Sequence, residues 1–205
     1  MRIRMHPENP QPRLVTKVAQ ALDAGQVIIF PTDTVYGMGC DVLNRKAAER
    51  IYRLKKVDRR KPLSILCPDL SVLSEYVASI PTSTFRILKR LTPGPYTWIL
   101  EASGLVPRTL LTRQRTIGIR VPDAAIPQAL IRELGRPILS TSIRPDDDEE
   151  PVEDPDDIDQ VWGRRVDMVV DGGFAVVEYS TVVDLTSGYP EIVREGKGDI
   201  SSLLP

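Results

Sequence analysis

The chain has 205 residues, of which 41% are hydrophobic, 27% charged and 5% aromatic, and its formal net charge is −1. That is enough apolar material for one full core, and the near-neutral balance neither demands nor excludes a nucleic-acid partner. One histidine, His6, and two isolated cysteines, Cys40 and Cys67, argue against Ser-His triads, histidine metal centres, zinc clusters and disulfide frameworks.

The leader "MRIRMHPENPQPR" is basic but lacks an apolar run of signal-peptide type, and no stretch reaches membrane-spanning length. A cytoplasmic protein with no membrane partner is expected. Leu14, Val18 and Leu22 then recur at helical spacing, and Gly25 suits the helix stop. "VIIF" (27–30) predicts a buried strand that opens directly into "PTDTVYG" (31–37). Polar side chains held there between a proline and a glycine make either a tight turn or a ligand site. "RKAAERIYRLKK" (45–56) predicts a helix with Ala47, Ala48, Ile51 and Leu54 inward, and "LSILC" a strand. "DLSVLSEYV" and "STFRILKRL" predict two short helices parted at Pro81, the second capped by Thr82.

"TPGPYT" is turn chemistry, "WILEA" and "TIGIRV" read as strands, "IPQALIRELG" as a helix stopping at Gly135, and "PILSTS" as a strand. An acidic loop follows at 144–157, with nine acidic residues among the twelve from Asp146 to Asp157, and reads as solvated. Its end, "EDPDD", starts a helix containing Ile158 and Trp162, with Pro155 in the first turn. "VDMVVDGG", "STVVDL" and "EIVREG" close the chain as short strands. Helices and strands mix without strict alternation. The fold class expected is therefore α/β (α+β), one domain over 1–205 with its core at about 14–200, built on a single mixed, twisted sheet.

Two groups of residues point to chemistry. "RLKKVDRRK" (53–61) holds six Lys or Arg in nine residues. It reads equally as a solvated helix end favoured by the helix dipole or as a phosphate-recognition patch. Arg120, ending the apolar strand "TIGIR", is costly to bury unless paired, so it is either a structural ion-pair partner or a ligand for carboxylate or phosphate. Arg194 poses the same question. With "STS" (140–142) and "YST" (179–181) beside strands, the two arginines suggest convergent anion-binding groups.

The blocks "FPTDTVYGMGCD", "IYRLKK…KPLSIL", "LTPGPYTWIL", "TIGIRVPD", "RPILSTS" and "STVVDLTSGYPEIVREGKGDIS" stand in the order seen in the YrdC/YciO family. This resemblance runs from about Leu14 to Ile200. It implies a twisted open sheet, mixed parallel and antiparallel, flanked by helices and carrying a basic concave cleft. The activity implied is that of an L-threonylcarbamoyladenylate synthase, a nucleotidyltransferase that joins L-threonine, bicarbonate or CO₂, and ATP, releasing pyrophosphate. Its product serves N6-threonylcarbamoyladenosine synthesis in transfer RNA, and some members are described as binding double-stranded RNA. By the same resemblance Thr32, Thr34 and Tyr36 wall the threonine pocket, Tyr36 offering an apolar face and a polar tip. Arg120 holds the amino acid's carboxylate, and Ser180 its polar end. Lys55, as the catalytic cation, faces the nucleotide phosphates with Ser140, Ser142 and Arg194. The basic cluster itself, through Lys56, Arg59, Arg60 and Lys61, offers a candidate RNA-binding surface as a competing expectation. Mg²⁺ is expected with ATP, not ligated by the protein. No tightly bound cofactor is expected, and the chain is a monomer or homodimer. Such chemistry needs no protein nucleophile: threonine's amine attacks CO₂, the carbamate attacks the α-phosphate, and the enzyme positions reactants and neutralises charge.

Two family signatures differ here. The Lys-x-Arg of the synthases is Lys55, Lys56, Val57, and their Ser-x-Asn is Ser142, Ile143, Arg144. Ala124 stands near a position where a histidine is common. In these respects the chain is more similar to the YciO branch, so two expectations stand side by side. One is synthase-like binding of ATP and L-threonine. The other is a non-synthase paralogue that binds double-stranded RNA or tRNA, or senses a nucleotide or amino acid.

Overall fold

The structure is a computed structural model that describes residues 1–57, 63–111, 113–143 and 152–203. Hydrophobic periodicity sets the helices. α1 (Pro12–Asp23) starts on Pro12, whose missing N–H is one of the groups left unpaired at a helix start, and turns Val15, Val18 and Leu22 inward. α2 (Arg45–Lys55) is capped by Asn44, whose side chain accepts the Ala47 N–H at 3.0 Å. α3 (Leu70–Glu75) is capped by Asp69 in the same way. α4 (Thr82–Leu91) departs from expectation at its start. Thr82 is the first helical residue and makes no cap, because the extended Pro81 occupies the cap position. α5 (Ala125–Leu134) stops at Gly135, which takes the left-handed conformation at φ +74°. α6 (Pro155–Trp162) begins as the acidic "EDPDD" predicts, with Asp154 accepting the Asp156 N–H.

Among the described residues ten strands form one mixed sheet: β1 (Arg2–Arg4), β2 (Ile28–Phe30), β3 (Gly37–Asp41), β4 (Ser64–Leu66), β5 (Tyr96–Glu101), β6 (Thr116–Arg120), β7 (Ile138–Ser142), β8 (Met168–Asp171), β9 (Thr181–Asp184) and β10 (Glu191–Arg194). Their order is β1-β8-β2-β3-β7-β4-β6-β5-β9-β10. Pairing is parallel for β1/β8, β2/β8, β4/β6 and β5/β9, and antiparallel elsewhere. The mixed sheet expected from the sequence is what forms. The sequence reading did not foresee β1 and β3.

Strand alternation sends the two faces to different fates. One face (Ile29, Ile65, Trp98, Ile117, Ile119, Leu139, Val183) packs against Ala48 and Ile51 of α2, Leu73 of α3, Leu88 of α4, and Ile158 and Trp162 of α6. The other face is covered only in part. Ile28, Phe30, Leu66, Ile138 and Met168 pack beneath Val18 and Leu22 of α1 and Leu130 and Ile131 of α5. Each fully buried aliphatic contributes about 1.5–3 kcal/mol, which anchors both layers. Beyond Leu66 and Ile138 the same face turns to small and polar residues, and there a cleft opens.

Candidate functional site

The cleft has a volume of about 900 Å³ and lies over β7, β4, β6, β5 and β9, with the 32–37 turn as one wall. Its floor is a row of residues abreast across five strands. Asp184 pairs with Ile99, Ile99 with Gly118, Gly118 with Ser64, and Ser64 with Ser140. Thr116, Gly118 and Arg120 face the cleft while Ile117 and Ile119 face the core. The same alternation puts Thr97 in the cleft and Trp98 behind it. Gly118 keeps the middle of the floor flat: a Cβ there would stand 2.8 Å from the Ser64 hydroxyl and 3.3 Å from the Thr97 methyl.

The "PTDTVYG" segment proves to be both turn and wall. Thr32 Oγ1 donates to the Val35 carbonyl at 2.8 Å and accepts the Thr34 N–H at 3.1 Å. Its one proton is then engaged, so the 3.0 Å contact between the two threonine hydroxyls is donated by Thr34. Thr34 Oγ1 in turn accepts from Arg120 Nη1 at 2.8 Å. The result is a directed chain from guanidinium to Thr34 to Thr32 to backbone. Arg120 is 7% exposed and also pairs with Asp33, so the buried strand-end arginine is an ion-pair partner and a cleft residue at once. Burial pushes the guanidinium below its ordinary range, and the Asp33 carboxylate pushes back. Arg120 Nε and Asp33 Oδ2 are buried with no hydrogen-bond partner among the described residues.

At the adjoining wall Ser180 Oγ contacts Thr97 Oγ1 at 2.8 Å. Arg194 donates to the Ser180 carbonyl at 2.9 Å, and its guanidinium lies over the Tyr179 ring, 5.2 Å from the centroid. Thr32, Thr34, Arg120, Ser140, Ser142, Ser180 and Arg194 therefore all line one cleft.

Two expected roles need correction. Tyr36 edges the cleft with its ring, but it is fully buried and its hydroxyl is not a polar tip for a ligand. That hydroxyl donates to the Gly173 carbonyl at 2.7 Å and accepts the Gly172 N–H at 3.1 Å, tying the turn to the end of β8. Lys55 is not among the lining residues. It donates to the Ser142 carbonyl at 2.8 Å and so supports the strand that carries a lining hydroxyl. Lys56 is exposed at the end of α2 in the left-handed region, φ 51°. Arg59, Arg60, Lys61, Arg144 and the acidic residues up to 150 lie outside the described residues.

Sequence reasoning missed Ser64, Thr97, Gly118 and Asp184 on the floor, Gln114 elsewhere in the lining, and Lys197 beside the turn. The Lys197 ammonium donates to the Asp33 carbonyl at 2.7 Å, joining the chain's last segment to the turn. In "TIGIR" Thr116, Gly118 and Arg120 alternate with Ile117 and Ile119, and this was the available signal for that strand. His6 is exposed, and its Nδ1 accepts the Glu8 and Asn9 N–H groups, away from the cleft. Both cysteines are buried and unbonded; burial pushes the Cys40 thiol up to about 12 and that of Cys67 upward too. Among the described residues no group of three or more His, Cys, Asp or Glu is placed to hold a metal ion, and no helix is long and apolar enough to cross a membrane.

Tyr36→Phe tests the structural role of the phenol. Two part-buried backbone groups lose their partner, so a loss of about 0.5–1.5 kcal/mol is expected in urea unfolding. Desolvation also pushes the phenol from its ordinary 10.0 up to about 12. The unfolded chain releases this proton near pH 10 and the folded one only near 12, so stability falls across that window. The variant should lose that part of the alkaline fall and keep the part due to Cys40, which begins near pH 9. An unchanged midpoint at pH 8 would show that the phenol holds nothing.

Comparison with known proteins follows the same outline. The Sua5/YciO/YrdC family model, described as telomere recombination, matches residues 20–196. YciO of Escherichia coli is 41% identical over 201 residues, 98% of this chain and 97% of that protein. Its crystal structure superposes with a TM-score of 0.95 over 100% of this chain and 99% of that one. A threonylcarbamoyl-AMP synthase from Halorhodospira halophila is 30% identical over 177 residues, 86% of this chain and 92% of that protein. The crystal structure of Pyrococcus abyssi Sua5 complexed with L-threonine has a TM-score of 0.89 at 28% identity, over 96% of this chain and 57% of that one.

Proposed function

Because this chain belongs to the Sua5/YciO/YrdC family, we propose that its cleft binds L-threonine and an adenine nucleotide and forms L-threonylcarbamoyladenylate from threonine, CO₂ or bicarbonate, and ATP. The observation that carries this reading is the convergence of Thr32, Thr34, Arg120, Ser180 and Arg194 on one 900 Å³ cleft, in a fold shared with a threonine-bound Sua5.

In this reading the amino acid lies against the 32–34 turn. Its carboxylate meets Arg120, whose Nε still lacks a partner, and its hydroxyl meets the threonine and serine hydroxyls beside it. The nucleotide phosphates face Arg194, Ser140 and Ser142, with Lys55 behind the Ser142 carbonyl. Mg²⁺ enters on the ATP phosphates and not on protein carboxylates. The chain's own residues hold the two reactants in line and neutralise phosphate charge, which is where such a reaction obtains most of its acceleration. The product would serve tRNA modification.

The amino-acid half is tested alone by calorimetry. L-Threonine should bind, and L-alanine, which lacks the hydroxyl, should bind about tenfold or more weaker, because the site's hydroxyls are left unmatched. Equal affinities would remove threonine as the substrate.

A further inference from the structure

The cleft is otherwise walled by arginines, hydroxyls and aliphatic groups, so one residue stands out. Asp184 is the only carboxylate lining it among the described residues. Its Oδ1 is fixed by Thr186, which donates from its N–H at 2.8 Å and from its hydroxyl at 2.6 Å. Oδ2 has no hydrogen-bond partner among the described residues, although the side chain is held in one orientation.

Its position is remote from the hydroxyls and the guanidinium assigned to the phosphates. Ser180, which holds Arg194, lies four residues back along β9, about 13 Å by strand rise. Ser140 lies four strands across the floor, about 19 Å by strand spacing. A phosphate brought to Asp184 would meet a carboxylate of like charge, whereas a neutral group with N–H donors would meet a fixed acceptor. The surroundings are mixed, with Arg113, Gln114 and Thr116 also in the lining, but the floor beside Asp184 is aliphatic. Ile99 stands abreast of Asp184, and Val182, Val193 and Leu111 line the same end. A flat aliphatic seat closed by one oriented acceptor fits the ring of a nucleobase with its amino edge toward the carboxylate.

The geometry points to Asp184 as a specificity-determining residue that reads the exocyclic amino group of the nucleobase and so selects adenine over a 6-oxopurine. This rests on the reading that the cleft takes a nucleotide, and names which base it takes.

The substitution Asp184→Asn is a clean probe. The amide oxygen can keep both bonds from Thr186, while the other atom changes from acceptor to donor. Calorimetry with Mg-ATP and Mg-ITP on the wild type and the variant provides the test, with thermal melting to show that both are folded. ATP should bind the wild type about tenfold or more tighter than ITP, and in the variant that preference should vanish or reverse, because the amide donor matches the 6-oxo group. Asp184→Ala, which removes both atoms, should abolish the preference without reversing it. Equal affinity of the wild type for ATP and ITP overturns the assignment while leaving the nucleotide reading intact. An ATP preference that survives in both variants also overturns it. If neither nucleotide binds the wild type, the nucleotide reading falls and the assignment falls with it.

Discussion

Replacing Arg120 by alanine is expected to abolish L-threonine binding and to cost about 3–5 kcal/mol of stability, because it leaves the buried Asp33 carboxylate without its cation. The same change takes from Thr34 its guanidinium donor and undoes the directed hydroxyl chain that shapes the wall. Loss of binding alone could then reflect a collapsed turn. The double variant Asp33→Asn with Arg120→Met separates the two effects. It removes both charges at similar volume, and replacement of a buried ion pair by neutral groups is often neutral for stability. It should regain most of the lost stability and none of the threonine affinity. If the double variant is as stable as the wild type and still binds threonine, Arg120 is a structural residue only.

The second large effect is expected at Gly118. Valine there suits a strand, but its Cβ would fall 2.8 Å from the Ser64 hydroxyl, and its methyl groups would fill the flat middle of the floor. Moving Ser64 aside costs about 1–3 kcal/mol, so the protein should remain folded. A ligand spanning the cleft from Arg120 to Asp184 would lose its seat, and affinity for ATP should fall by roughly a hundredfold or more, about 2.7 kcal/mol. Threonine alone, held at the Arg120 end, should lose less. Equal losses for both ligands would place both in the centre of the cleft. Unchanged ATP affinity with a folded protein would put the nucleotide elsewhere.

These expectations rest on residues of unequal legibility. The helices were readable because their apolar faces repeat within one element: Val18 and Leu22 in α1, Ile51 in α2, Leu130 and Leu134 in α5. β1 was not, since "RIR" carries a single apolar residue and is a strand only because β8 pairs with it. β3 was hidden by its glycines, which weaken any strand pattern. Gly39 is there because a Cβ would come within 2.6 Å of the Leu139 carbonyl and 2.9 Å of Phe30, a constraint that only the folded sheet imposes.

The site divides in the same way. Arg120 and Arg194 were conspicuous as charges at strand ends, and the family resemblance placed Thr34 and Ser180 beside them. Ser64, Thr97, Gly118 and Asp184 were not singled out because small or polar residues beside apolar ones look the same on a solvated outer face and on a cleft floor. The sheet order decides between these, and it is set by contacts between distant segments. Tyr36 was misjudged for a related reason. A tyrosine in a polar motif suggests a ligand contact, whereas its partners Gly172 and Gly173 come from the far end of the chain.

In the proposed function this cleft joins threonine to an adenylate, with Val57 and Arg144 standing where the family resemblance implies an arginine and an asparagine. The most direct test is mass spectrometry of the purified protein incubated with ATP, Mg²⁺, bicarbonate and L-threonine, with pyrophosphate followed in parallel. L-Threonylcarbamoyladenylate and pyrophosphate are expected in equal amounts, both dependent on threonine and both lost in the folded Asp33→Asn/Arg120→Met variant. Absence of the adenylate when calorimetry shows both ligands bound would contradict the proposed function, and would leave a binding protein built on the same cleft.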